Sequence, residues 1–228
     1  DTGVPIGHFA PYDMGADIVA DAEEQLRRAV RSLEVDNCAI NADFILCKGK
    51  TYVLEIGARA GATCLVEMTS LYYGFDYYEK IIQCNLGEKP DFTPQAAPQP
   101  NAEMLFQAPV TGKITDIDLS GVTPDERIIN LSMDYQVGDA VRQFRKGPDR
   151  IGQIIAIGDN VPQAKELIDR AMAQVKITID PEYVAAFGGR ETKEKEKRVM
   201  SYASEKRWEN LWYFPTDLMK LYRKVPTN

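Results

Sequence analysis

The sequence predicts an α+β protein, in which an antiparallel sheet carries helices and is followed by a small α+β unit and a charged and aromatic tail. Three observations carry that expectation. Two β-like runs, residues 38–47 and 51–57, are separated only by Lys48-Gly49-Lys50, too short a connection for anything but an antiparallel hairpin. Stretches of helical period flank the hairpin on both sides. A proline-rich break, "GEKPDFTPQAAPQPN" (87–101), then separates it from a second set of short strands and one helix.

The elements follow in order. Residues 16–33 place Ile18, Val19, Ala22, Leu26, Ala29, Val30 and Leu33 on one stripe, which predicts an amphipathic helix. Residues 62–73 and 75–86 predict two more helices, closed by Gly74 and Gly87. After the break, "FQAPVTGKITDIDL", "RIINLSM", "VRQFRKG" and "IGQIIAIGD" predict short strands. A helix is expected over 162–175, capped by Asp159 or Asn160, with Ala164, Leu167, Ile168, Ala171, Met172 and Val175 on its apolar face. The expected organisation is 1–87, a linker at 88–101, a small α+β unit at 102–180, and a tail at 181–228. The tail is densely charged from 190 to 198 and then aromatic, with Trp208, Trp212, Tyr213, Phe214 and Tyr222; it is expected to dock on the chain's own body, or to meet a partner such as a second copy in a homodimer.

Composition excludes several classes. A net charge of -7 lacks the basic face that nucleic acid requires. No apolar run approaches the ~18 residues of a membrane span, and the first residues lack the layout of a signal peptide. Cys38, Cys47, Cys64 and Cys84 include no C-x-x-C pair and, sitting among apolar neighbours, are expected as buried free thiols of a reducing cytosol. His8 is the only histidine, so zinc ligation or a histidine-based triad has little to rest on, and His8 is expected to be structural or frayed.

One carboxylate stands out. Glu55 lies in the run "YVLEIGARAGAT", and burying a lone carboxylate costs several kcal/mol, roughly, unless it is partnered. A three-residue connection would set Ala42, Phe44, Leu46, Tyr52, Leu54 and Ile56 on one buried face. It would leave Asn41, Asp43, Thr51, Val53, Glu55 and Gly57 on the other, pairing Asp43 with Glu55. A two-residue Lys48-Gly49 turn is disfavoured, because lysine is a poor choice for φ > 0. Opposed carboxylates need a shared proton or a cation, and an all-oxygen pair suits Mg²⁺. Arg59, just past the strand in a Gly-rich bend, is placed to meet an anion; the competing account is a solvated face on which Arg59 neutralises Glu55.

The stretch "INADFILCKGKTYVLEIGARAGAT" resembles the metal-binding part of an ATP-grasp superfamily ligase, of the carboxylate–amine ligase and carbamoyl-phosphate synthase-like kind. The segment "GQIIAIGDNVPQAKELIDRAMAQVKI" resembles the small C-terminal subdomain of the same branch. The resemblance implies ATP and Mg²⁺ as cofactors, with Asp43 and Glu55 as metal ligands and Arg59 as the catalytic arginine. Asn41 shares their face as a candidate nucleotide- or substrate-binding residue, or else as a solvated strand residue. Gly57 departs from the family pattern, which has asparagine there. The implied activity forms an acyl phosphate on a small carboxylate for attack by an amine. It also implies a missing N-terminal ATP-grasp region, without which these 228 residues are expected to be inactive. Two alternatives remain, a biotin-carboxylase or carbamoyl-phosphate-type enzyme and a non-catalytic ATP-grasp-derived binding module. Gly61 and Thr63 either line the same loop or begin the next helix. The cluster Arg142, Arg145, Lys146 and Arg150 is expected as a solvated rim, with phosphate binding as the sharper alternative.

Overall fold

The structure is a computed structural model describing residues 3–181 and the two-residue strand β10 (Arg198–Val199). Apart from Pro181 and β10, the expected tail lies outside the described residues. The described residues form two compact units: residues up to His8 together with those from Pro100 onward, and Phe9–Gln99. The division falls inside strand β1 (Gly7–Ala10).

In the Phe9–Gln99 unit, α1 (Ala16–Ser32) packs on a hairpin of β2 (Asn41–Cys47) and β3 (Lys50–Gly57). Helices α2 (Leu65–Tyr73) and α3 (Tyr77–Asn85) follow. Gly74 ends α2 with φ 70°, a left-handed conformation that favours glycine. The expected helix over 62–73 begins later than the spacing suggests. Thr63 and Cys64 both adopt left-handed backbone (φ 55° and 63°), which no α-helix continues through. Asp76 caps α3 by accepting from the Glu79 amide at 3.1 Å. Tyr73, Phe75, Tyr77 and Val66 form an apolar cluster with Phe92 against it, the Tyr73 and Phe75 rings stacked 5.6 Å apart.

A four-stranded sheet runs in the order β1–β4–β8–β6, in which β8 (Arg150–Ile157) pairs antiparallel with both β4 (Asn101–Gln107) and β6 (Ile128–Met133) of the other unit. A second sheet runs β10–β9–β5–β7, with β5 (Gly112–Asp118), β7 (Ala140–Val141) and β9 (Lys176–Asp180). Helix α4 (Val161–Gln174) lies on β4 and β8 and buries Ala164, Leu167, Ile168, Ala171 and Met172. Its cap is Asn160, whose side chain accepts from the Gln163 amide at 2.9 Å. The stretch "VRQFRKG" contributes only the end of β7; the rest is irregular, closing in a 3₁₀ turn at Gly147–Asp149. His8 is not frayed: it is buried in β1, its Nδ1 2.5 Å from Glu103 Oε1.

Candidate functional site

The β2–β3 hairpin sets the geometry. Its turn is the two-residue Lys48-Gly49, with both residues at positive φ (51° and 73°). This is the primed geometry whose twist matches the strands, and it corrects the expected three-residue loop. The pairs run Cys47–Lys50, Leu46–Thr51, Ile45–Tyr52 and Phe44–Val53. The register then shifts by a bulge that leaves Leu54 extra, and resumes with Asp43 opposite Glu55, Ala42 opposite Ile56 and Asn41 opposite Gly57. The tight turn would have slipped Glu55 to the wrong face; the bulge restores it.

The bulge also redistributes the faces. Thr51, expected on the polar face, is 1% exposed, whereas Tyr52 and Leu54, expected to be buried, are 51% and 56% exposed. Leu46 is likewise exposed, and so is Cys47, whose thiol was expected to be buried; Cys38 is half-buried, while Cys64 and Cys84 are buried as expected. Directly paired residues share a face, so Thr51, Val53 and Ile56 join Ala42, Phe44 and Leu46, and Tyr52 joins Asp43, Glu55 and Asn41. The inner face meets α1, where the Asp21 carboxylate accepts from the Thr51 amide and from its hydroxyl, each at 2.7 Å. These two bonds hold the Asp21 carboxyl below the usual carboxylate range. Asp21 went unnoticed in the sequence, although a carboxylate beside Ala22 on the apolar edge of a helix was the available signal.

Asp43 is half-buried, while Glu55 and Arg59 are exposed. Arg59 Nη1 donates to the Ala60 carbonyl at 2.7 Å. No ion pair joins Arg59 to Glu55 among the described residues, so the account in which Arg59 neutralises Glu55 finds no support. Gly61 brings the following loop against β2: a Cβ there would lie 2.9 Å from Asn41 Oδ1 and 2.5 Å from Leu65 Cδ1. Thr63 is outside the helix, its hydroxyl donating to the Ala62 carbonyl at 2.7 Å. The hairpin thus brings Asp43 and Glu55 together and carries Asn41 on the same face. Among the described residues no group of three or more His, Cys, Asp or Glu side chains is arranged to hold a metal. A hard cation that also takes oxygens from phosphate and water fits the two carboxylates, since Mg²⁺ commonly uses only one or two.

In the other unit, one member of the basic cluster, Arg150, is paired with an acidic neighbour. Arg150 Nε donates to Asp134 Oδ2 at 2.8 Å, and the amides of Arg145 and Lys146 both turn to Asp149 Oδ2 at 3.2 Å. No described helix is long and apolar enough to cross a membrane.

A family model described as L-amino acid ligase C-terminal domain 2 matches residues 104–180. No curated protein matches the chain. Among solved structures, it resembles phosphoribosylglycinamide synthetase from Anaerococcus prevotii, with a TM-score of 0.68 and 26% identity over 77% of this chain and 46% of that one. It also resembles L-amino acid ligase from Bacillus licheniformis, with a TM-score of 0.63 and 15% identity over 75% and 43%. Biotin carboxylase from Campylobacter jejuni gives a TM-score of 0.59 and 14% identity over 75% and 39%. The chain spans less than half the length of each of these structures.

Proposed function

We propose that this chain, which shares its fold with the C-terminal part of ATP-grasp ligases, belongs to an enzyme that joins a carboxylate to an amine with ATP and Mg²⁺. The observation that carries the reading is the register that sets Asp43 opposite Glu55 on an outward face. On this reading residues 1–87 supply the C-terminal half of the ATP-grasp core, 88–101 a linker, 102–180 the small subdomain, and 181–228 a tail. An N-terminal ATP-grasp region of a longer cytoplasmic protein completes the nucleotide site, and this chain alone is inactive.

In the proposed reaction, a carboxylate oxygen of the substrate attacks the γ-phosphorus of ATP and ADP leaves. The amine nitrogen then attacks the acyl carbon, inorganic phosphate leaves, and the nitrogen loses a proton to give the amide. Bound Mg²⁺ would neutralise phosphate charge as the phosphoryl group moves. Asp43 and Glu55 would hold that cation, since both carboxylates stand on paired strands rather than on a loop. Arg59 lies just beyond β3, where its guanidinium can meet the substrate carboxylate and then the acyl phosphate. Asn41 orients a phosphate or substrate oxygen from the same face.

The test is Mg²⁺-dependent ADP release by the natural protein that carries this chain, with pooled small carboxylates and amino acids, comparing wild type with Glu55→Gln. Release that requires both a carboxylate and an amine, and that collapses in the variant, supports the ligase. Equal silence in both proteins, with no nucleotide bound by either, overturns it.

A further inference from the structure

Helix α3 carries apolar side chains on two of its sides. One side turns inward and buries Tyr77, Lys80 and Cys84, with Tyr77 in the apolar cluster of Val66, Tyr73 and Phe75. The other presents Tyr78, Ile82 and the cap residue Leu86, each more than half exposed. Their spacing of four residues sets them in one row along the helix, about 12 Å long. Single apolar residues are ordinary on a surface, but a row of three along one helix face marks a surface that another segment covers. The row is also held in place. The Tyr78 hydroxyl donates to Glu67 Oε1 at 2.7 Å, so the ring has little freedom left to lose on contact.

Charge around the row selects its occupant. Glu67 meets the Tyr78 hydroxyl, Glu79 follows Tyr78 in sequence, Asp76 caps the helix and Glu88 comes soon after Leu86. The helix's one lysine, Lys80, is buried on the inner side. Residues 9–99 as a whole hold fourteen acidic against eight basic residues. The complement lies in the same chain. Residues 200–228 follow β10, and in them Trp208, Leu211 and Trp212, then Leu218, Leu221 and Tyr222, repeat the spacing of three and four that gathers apolar side chains on one helical face. Over 206–224 this segment carries Lys206, Arg207, Lys220, Arg223 and Lys224 against only Glu209 and Asp217, in a chain whose net charge is -7.

We infer that the outward row of α3 is an interaction surface for the chain's own aromatic segment, residues 208–222. The tryptophans and leucines of that segment cover Tyr78, Ile82 and Leu86, and the basic residues at its ends meet the flanking carboxylates. Apolar surface leaves water on both sides of the contact, which supplies its strength, while the exposed charge pairs fix its orientation. The inference stands apart from the nucleotide reading of the hairpin.

The test uses the natural protein that carries this chain, with the photoreactive residue p-benzoylphenylalanine in place of Ile82. Irradiation is expected to give a cross-link within one chain, from position 82 to residues 208–222, located by mass spectrometry of the digest. A dimer-sized product joined to a second copy, a cross-link to any other segment, or no cross-link overturns the inference. Amide hydrogen exchange gives a second readout. Ile82 is exposed, so Ile82→Glu leaves the buried side of α3 unchanged. It is expected to speed exchange across 208–222 by roughly ten-fold or more over wild type. Val137→Glu, at an exposed apolar residue of the other unit, should leave that exchange as in wild type. Exchange in 208–222 that is unprotected in wild type, unchanged in Ile82→Glu, or equally faster in Val137→Glu also overturns the inference.

Discussion

Asp43 and Glu55 face each other directly across the β2–β3 hairpin because a bulge at Leu54 offsets the tight Lys48-Gly49 turn by one residue. The turn alone would pair Asp43 with Leu54, and the two carboxylates would point to opposite sides of the sheet. The bulge converts a structural hairpin into a two-carboxylate face, and bulges recur where a strand must re-aim a side chain.

That arrangement has an opposite sign with and without a cation. In the absence of divalent metal, opposed like charges are destabilising by about 0.2–1 kcal/mol. Glu55→Gln should therefore be as stable as wild type or slightly more so in chelator. Added Mg²⁺ should raise the wild-type melting temperature and leave that of Glu55→Gln unchanged. A parallel Mg²⁺ response in both proteins would remove Glu55 from the cation site.

Gly61→Ala tests the loop that carries Arg59. Its Cβ would meet Leu65 Cδ1 at 2.5 Å and Asn41 Oδ1 at 2.9 Å, so the loop or Leu65 must move. A cost of about 1–3 kcal/mol is expected, with weaker nucleotide-dependent turnover in the natural protein. Unchanged denaturant midpoint and turnover would show that the loop adapts freely.

The His8–Glu103 pair should behave as a buried pair does. Both side chains are almost wholly buried. Glu103→Leu alone should destabilise by about 3–5 kcal/mol, because His8 is then left without its carboxylate. The double variant His8→Leu/Glu103→Leu should be less damaged than the single one. Urea unfolding of the four proteins gives the coupling, and additivity of the two changes would refute it.

Acid should release Asp125. The Arg127 side chain donates to both its oxygens, at 3.0 and 2.8 Å, and the Arg127 amide adds a third bond. The carboxyl is held down to about 2 from its ordinary 3.8, first by the side-chain bond. A depressed folded pKa means that the stabilisation is fully present above the unfolded value and is lost as pH falls from about 4 through about 2. In Asp125→Asn this part of the acid dependence should vanish, and NMR titration of the Asp125 carboxyl gives the midpoint directly. A midpoint near the ordinary value would contradict the bidentate pairing.

Gly112→Ala should be costly where Gly147→Ala is not. At Gly112 a Cβ would fall 2.4 Å from the Asp180 carbonyl oxygen, in the pairing of β5 with β9, and backbone cannot yield as a flexible side chain does. About 1–3 kcal/mol is expected there. Gly147 has nothing within 4 Å, so its change should stay within roughly 0.5 kcal/mol. Equal effects on thermal unfolding would undo the steric account.

Much of the molecule was legible because it depends on local rules. The helical stripe from Ile18 to Leu33, the Asn160 cap, the Gly74 terminus and the apolar face of α4 are set by side-chain period and backbone conformation within a few residues. The same holds for the pairing of Asp43 with Glu55, although it was reached through the wrong turn. Parity counting assumes a regular ladder, and neither the left-handed φ of Lys48 nor the extra residue at Leu54 leaves a mark in residue type. Two departures from regularity cancelled, so the pairing survived while the face assignment of Thr51, Tyr52 and Leu54 did not.

The chain's own order of residues was enough to establish its α+β character and its acidic composition, and to single out Asp43, Glu55 and Arg59 as the groups the proposed chemistry would use. Whether those groups share a face was decided by packing: Asp21 on α1 ties down Thr51, which turns the inner side of the hairpin toward the helix and leaves Glu55 outward. Close approach decided the rest. Only the folded chain reveals that Gly61 abuts Asn41 and that His8 meets Glu103, because such contacts join residues whose spacing in sequence carries no period.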